Sequence, residues 1–450
     1  MGRKLVVIGA DAAGMTAASM ARRRDRSLDV VAYERTAWAS YAACGEPYYI
    51  AGYVAELDDL VARTPEQFAK AGIDLRLRHE VVAIDPDAGT VTVHDLDAGR
   101  TFEDGYDELL VTTGARAFVP PIPGVDLDGV HTLRTLGDAE ALRDVADGGP
   151  GTVVVVGGGY IGLEVAEAFH AKGWSVAVVE AAPAMLPRTL DTDLGLEVAD
   201  RMRSMGMAVH LGAMVTAIEG AGQATKVVAG TLELPADVVV LGIGSRPVVE
   251  LAEAAGIALG PTGAIAVDDR QRTSVEHVWS AGDCAETRHR ITGRPVNYHL
   301  GTVANKTGRV AGMNLTGGDF AFPGVLGSAI TKVHELEIAS TGLRRDDAEA
   351  AGFEAVDATV KGLTTAHYWP GHAEMSIRVT AERGSGRILG AQIVGGPGAG
   401  KRIDVFATAI WQAMSAADLS WVDLSYAPPF SPVWDLVAIA ARKAAQAATG

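Results

Sequence analysis

Cys44 sits in the stretch SYAACGEPYYIAG, residues 40–52, and is one of only two cysteines in the 450-residue chain. A thiolate attacks disulfide sulfur and is the working form of cysteine in thiol redox chemistry. No second cysteine lies nearby in sequence to pair with it. If Cys44 opens a helix, the free backbone N–H groups and the helix dipole lower its pKa. Pro47 fits the first turn of such a helix. Glu46 works the other way, because a carboxylate near a thiolate raises the thiol pKa, unless Glu46 points into solvent from the helix surface. A small packed thiol is the commoner fate of a cysteine, and that reading is given to Cys284.

The second chemistry is phosphate binding. Gly157, Gly159 and Gly162 in GGGYIG form GxGxxG between an apolar strand, TVVVV, and an Ala-rich helix. The glycines serve a tight turn, backbone approach to a pyrophosphate and close helix–strand packing. The helix N-terminus adds free N–H groups for the phosphates. Glu180 ends the next strand, where a carboxylate takes a ribose 2′-hydroxyl and repels a 2′-phosphate. Ala181 and Ala182 supply no cation, so NADH is favoured, with NADPH the alternative.

An earlier loop, GADAAG, has Gly9 and Gly14 but carries Asp11 at the middle glycine position. Glu34 ends its second strand, as Glu180 does in the later copy. Two dinucleotide sites in one chain suggest FAD held permanently and a nicotinamide dinucleotide that comes and goes. In SAGDCAE, Asp283 is placed to hold ribityl hydroxyls of a flavin, or else to cap a helix.

The elements behind these residues are two copies of strand, Gly-rich turn, helix and strand, which is the βαβ dinucleotide unit. TTGARAFVPPIPG (112–124) and LGIGSRPVVE (241–250) read as crossings between domains. From about Phe322 the pattern becomes mixed. SAITKVHELEIASTGL, MSIRVT and RILGAQIVGG read as strands, KRIDVFATAIWQAM as an amphipathic helix, and DLVAIAARKAAQAATG as a final helix. The fold class is therefore α/β, with two Rossmann-like domains and a C-terminal α+β domain.

Length alone calls for two or three domains. A net charge of −17 argues against nucleic-acid and anionic-membrane partners. Two cysteines make no disulfide framework, so a reducing cytoplasm is the expected compartment. The apolar run at the N-terminus is too short for a signal peptide. Val6 breaks the myristoylation pattern, no apolar run reaches membrane-spanning length, and no metal site is expected.

TTGARAFVPPIPG, VVVVGGGYIGLEVAEAF, VWSAGDCAE and LGTVANKTGRVAGMNL together resemble the flavin-dependent pyridine nucleotide-disulfide oxidoreductases, in the usual order and over nearly the whole chain. SYAACGEPYYIAG, ARTPEQF, KRIDVFATAI and YAPPFSPVWD are similar to the single-cysteine branch, which holds coenzyme A disulfide reductases and NAD(P)H oxidases. The resemblance implies an FAD domain split over 1–115 and 246–322, an NAD(P) domain over 116–245 and a dimerisation domain over 323–450. It implies a homodimer in which that last domain completes the partner's active site.

The resemblance also assigns roles. FAD would be held by Gly9, Ala12, Ala13, Gly14, Glu34, Arg35, Ser40, Val81, Thr113, Gly114, Gly282, Asp283, Gly301 and Thr302. NAD(P) would be held by Gly157, Gly159, Tyr160, Ile161, Gly162, Glu164, Glu180 and Gly244. Two-cysteine relatives use a Cys-x4-Cys disulfide, but Tyr49 occupies the second position here. Cys44 then cycles alone, through a mixed disulfide with a small thiol or through a sulfenic acid. Tyr426, and Tyr368 in AHYWPG, are the tyrosines expected to assist it from the partner subunit. Packing at an interface is the plainer role for both.

Arg22 and Arg23 in ARRRDR, with Arg63, are candidates for the anionic end of coenzyme A, against a solvated helix end. Ala43 stands where the branch often has Asn, and Glu46 where Leu is common. Ala12 replaces the histidine of many oxidases and peroxidases, which counts against peroxide chemistry. The expected activity is NAD(P)H-dependent reduction of a low-molecular-weight disulfide, coenzyme A disulfide first. The alternatives are an NAD(P)H oxidase and a redox-sensing flavoprotein with incidental turnover.

Overall fold

The computed structural model describes residues 2–450. Three five-stranded sheets organise it. In the first, Lys4–Ile8 is central, with Asp29–Tyr33 and Asp74–Arg76 on one side and Glu108–Val111 and Val278–Ser280 on the other, all parallel. Val278–Ser280 returns from far along the chain to complete this sheet. In the second, Thr152–Val156 is central, flanked by Ser175–Glu180 and Ala208–Leu211 and by Val238–Leu241 and Val130–His131, again parallel. These central strands are unbroken runs of buried apolar residues, as strands covered on both faces require.

Each central strand leads through its glycine loop into a helix, Ala12–Arg24 in the first copy and Tyr160–Ala171 in the second. The first helix packs on the helix Gly301–Asn314 with backbones nearly touching. A Cβ on Gly308 would stand 2.3 Å from the Ala13 carbonyl oxygen, and one on Gly312 2.5 Å from that of Ala17. The glycines of VANKTGRVAGMNL are thus packing requirements.

Between the first two sheets the chain crosses out and back through a two-stranded antiparallel ribbon, Ala115–Ala117 with Ser245–Pro247. Thr113 Oγ1 pins its base by donating to the Val248 carbonyl at 2.6 Å.

The third sheet is antiparallel: Ala329–Val333, Leu336–Gly342, Ile388–Gly395, Glu374–Glu382 and Ala355–Leu363 in spatial order. The helices Ile403–Trp411 and Leu436–Thr449 pack on it around Phe406, Ile377 and Ala441. The chain is therefore α/β with two Rossmann-like parallel sheets and a C-terminal α+β domain. No helix among the described residues is long and apolar enough to cross a membrane.

Candidate active site

The two glycine loops are built alike. Gly9 and Gly157 have φ of +92° and +108°, a region that costs a side chain dearly. A Cβ on Gly14 would stand 2.1 Å from the Gly9 carbonyl oxygen, and one on Gly162 1.9 Å from that of Gly157. Glu34 Oε2 accepts the Ala10 N–H at 3.0 Å and Oε1 the Thr36 N–H at 2.9 Å. Glu180 repeats this with the Gly158 N–H at 2.6 Å and the Ala182 N–H at 2.7 Å. Each acid is thus locked to its own loop at the end of the second strand.

Neither loop helix carries a side-chain N-cap, at Asp11 or at Gly159. Their first N–H groups are left for another acceptor. Gly114, Gly244 and Gly301 have open space where a side chain would begin. Uncapped helix ends, glycine cradles and locked ribose-side acids fit two dinucleotides. Around the first loop, Arg35 is exposed, Val81 is buried in the small sheet beside it, and Gly301 and Thr302 open the third helix at the surface. Ala12 and Ala13 form the first turn of the loop helix. A Cβ on Gly282 would stand 2.8 Å from that of Ala13.

Asp11 has a local task that explains its place in the loop. Its Oδ1 accepts the Tyr41 N–H at 3.1 Å. The Ser40 N–H donates to the Ala10 carbonyl at 2.9 Å, with Ser40 at φ +51°. The cysteine segment is therefore laced directly onto the first glycine loop. Burial raises the Asp11 pKa to about 6, against the N–H bond from Tyr41.

Cys44 is exposed, in a 3-10 turn Ala43–Gly45, and the short helix Glu46–Ala51 follows with Pro47 in its first turn. This corrects the expectation that the helix would acidify the thiol. Desolvation, then the Glu164 and Glu46 carboxylates, push the Cys44 pKa up. Six helical residues provide little dipole, and two acids oppose it. Glu46 is also not a solvated surface residue. It is 3% exposed, and its Oε1 has no partner.

Several residues at this site were not evident from the sequence. Arg134 Nη2 pairs with Asp283 at 2.7 Å, and its Nε donates to the Ala115 carbonyl at 3.0 Å. Asp283 lies in a turn after Val278–Ser280 with no helix beginning there, so it is not a helix cap. Asn297 Nδ2 donates to the Asp283 carbonyl at 3.0 Å. Glu164 Oε1 accepts from Thr331 Oγ1 at 2.8 Å, and burial raises its pKa to about 7. Lys332 pairs with buried Glu167 and lies 5.5 Å from each of the Tyr48 and Tyr53 ring centres. The first strand of the third sheet thereby clamps the helices Tyr160–Ala171 and Glu46–Ala51 together. Tyr160 reaches Ser340 of the same sheet at 3.5 Å, while Ile161 is 41% exposed at the loop.

Arg22 departs from its expected role. Its Nη1 donates to the Leu28 carbonyl at 3.1 Å and to that of Arg26, so it closes its own helix end. Arg23 and Arg63 stay together: Arg23 Nε donates to the Ser19 carbonyl at 3.0 Å and Arg63 Nη1 to Ser19 Oγ at 3.1 Å. Arg63 also stacks 4.1 Å from the Phe68 ring centre. Cys284 is fully buried. Tyr426 and Tyr368 are both exposed.

Residues 3–308 match the family model for pyridine nucleotide-disulphide oxidoreductases, and residues 328–437 match that for the dimerisation domain of the same enzymes. The chain belongs to this family. It is a flavin-dependent NAD(P)H oxidoreductase, with FAD and NAD(P)H as its cofactors. The family's NAD(P)H sulfur oxidoreductase (CoA-dependent) of Pyrococcus abyssi is 40% identical over 98% of both chains. An NADH oxidase of Methanocaldococcus jannaschii is 36% identical over 98% of both chains. A coenzyme A disulfide reductase of Staphylococcus aureus is 31% identical over 98% of this chain and 99% of its own. Among solved structures, a NAD-dependent persulfide reductase from A. fulgidus superposes with a TM-score of 0.94 at 38% identity, over 98% of this chain and 82% of its own. These members share the fold and differ in the acceptor named.

Proposed function

We propose that the chain is an NAD(P)H:disulfide oxidoreductase acting on a low-molecular-weight disulfide, with coenzyme A disulfide as the leading substrate. The observation that carries this is the isolation of Cys44. It is the exposed thiol beside the dinucleotide loops, and the second cysteine is fully buried. A redox cycle at Cys44 therefore takes its second sulfur from a small thiol.

The division into an FAD domain of 1–115 and 246–322, an NAD(P) domain of 116–245 and a dimerisation domain of 323–450 is part of this reading. Bound FAD supplies two-electron transfer between NAD(P)H and sulfur. The rest is the work of the chain's own residues. Cys44 thiolate attacks one sulfur of the disulfide, the S–S bond breaks, and one thiol leaves with a proton while a mixed disulfide forms on Cys44. Reduction of that mixed disulfide by two electrons releases the second thiol and restores the thiolate. Tyr426 and Tyr368, contributed across a homodimer, hold and donate the proton of the leaving group. Their exposure beside Phe430, Val433, Trp434 and Trp421 supports such an interface. Arg23 and Arg63 take the anionic end of coenzyme A.

The test is anaerobic NADH oxidation with coenzyme A disulfide as acceptor. Fast turnover supports the reading. No turnover until air is admitted overturns it in favour of an oxidase, which the archaeal NADH oxidase relative keeps as the second reading.

Glu180 yields a separate expectation. Glu180→Gln keeps an acceptor for the loop but removes the charge facing a 2′-phosphate. The kcat/KM ratio of NADPH to NADH should rise about tenfold, equivalent to about 1.4 kcal/mol. An unchanged ratio would mean that Glu180 does not read the ribose.

A further inference from the structure

Glu46 is the most anomalous side chain around Cys44. It stands two residues after the thiol at the start of the helix Glu46–Ala51, wedged against the helices Leu136–Asp147 and Tyr160–Ala171. It is 3% exposed, and its Oε1 finds no donor. A buried, unpaired carboxylate is among the costliest groups a fold can hold. The groups that face it are Arg134 and Asp138 at the start of one helix, Glu164 on the other, Asp11 in the glycine loop, and Tyr41 and Cys44 in its own segment. Arg134 is the one cation among them, and Asp283 already engages it at 2.7 Å. The remaining neighbours are acids, a phenol and a thiol, so nothing neutralises a second negative charge.

We propose that Glu46 is a proton partner of Cys44, the two groups together holding no more than one negative charge over the working pH range. This rests on the reading of Cys44 as the reactive thiol and makes Glu46 a positioning residue for its protonation. The exchange is Cys44–SH plus Glu46–COO⁻ giving Cys44–S⁻ plus Glu46–COOH, with one proton and one charge conserved. Burial raises the Glu46 pKa to about 8 against the pull of Arg134, with Asp138, Asp11 and Glu164 adding to the rise. Below that pH both groups keep their protons, and the neutral carboxyl does not oppose formation of the thiolate. Above it the first proton lost by the pair comes from Glu46, and the charge left behind holds the thiol protonated. Two groups coupled in this way titrate in two shared steps.

The test is the pH dependence of iodoacetamide alkylation at Cys44 in the FAD-loaded enzyme, reduced with dithiothreitol and desalted without oxygen. Cys44→Ser serves as the blank. It needs no turnover, so it stands apart from the disulfide assay. Wild type should show two rises in rate separated by a plateau beginning near pH 8.

Glu46→Gln should match wild type below pH 7.5, then react about tenfold faster by pH 9, as a coupling of about one pKa unit requires. Superimposed curves at every pH overturn the proposal. A constant acceleration from pH 6 upward also overturns it, because the carboxyl would then be ionised throughout. If the glutamine variant does not fold, a single-step profile in wild type overturns it alone.

Discussion

Cys44→Ser should lower the anaerobic rate of NADH-dependent disulfide reduction by at least about a thousandfold, as loss of a covalent nucleophile does. A serine hydroxyl does not ionise in the working pH range and forms no bond to sulfur that two electrons reopen. Cys284 offers no rescue. It is fully buried, with its Sγ 3.6 Å from the Val111 carbonyl oxygen and 3.5 Å from that of Ala281. The glycine loops do not depend on the thiol, so the variant should keep its flavin absorbance and its affinity for NADH. Steady-state rates with coenzyme A disulfide, beside a flavin-to-protein ratio, check both halves. A variant that retains more than a tenth of the wild-type rate would remove Cys44 from the mechanism.

Arg402→Ala should destabilise the C-terminal domain by about 3 kcal/mol, the low end of the cost of leaving one side of a buried ion pair alone, because both partners keep some exposure. Arg402 Nε pairs with Asp435 at 3.0 Å, and the two side chains are 11% and 14% exposed. Its Nη2 donates to the Thr364 and Phe430 carbonyls, each at 2.8 Å. Asp435 in turn accepts the Val437 N–H at 2.9 Å and starts the last helix. One guanidinium thus ties KRIDVF to the middle and the end of YAPPFSPVWD, the segment that presents Tyr426. Removing it leaves a largely buried carboxylate and three carbonyls short of a donor.

The melting temperature should fall by about 10 °C, with a loss of dimer by sedimentation and a loss of disulfide turnover. Lysine at 402 restores the charge but not the fork that bridges four acceptors, the Gly398 carbonyl among them, so it should recover only part of the stability. An unchanged melting temperature with full activity would separate this motif from the Tyr426 segment.

The glycine loops, the strands around them and the acids Glu34 and Glu180 were legible in the chain. Their logic is local: a strand, a turn that excludes Cβ atoms and a helix follow one another within about 25–30 residues, the span of a βαβ unit. The α/β class and the family followed from the same short-range pattern. The exposed cysteine and the absence of a partner for it were also legible, since composition alone limits what Cys44 can pair with.

The electrostatics of the site were not legible. Arg134 meets Asp283 across 149 residues, and Thr331 meets Glu164 across 167. Glu46 reads as a helix-surface acid until the helices Leu136–Asp147 and Tyr160–Ala171 close over it. The ARRRDR cluster reads as a uniform basic patch until Arg22 turns to its own backbone and leaves Arg23 beside Arg63.

By itself the sequence determined the two dinucleotide loops and a Cys44 with no cysteine nearby to pair with, because backbone sterics and residue inventory act within short stretches. Only the tertiary structure decided which charges surround that thiol and in which direction its pKa moves. Burial and Coulomb interactions depend on distance in space, and segments far apart in the chain set those distances.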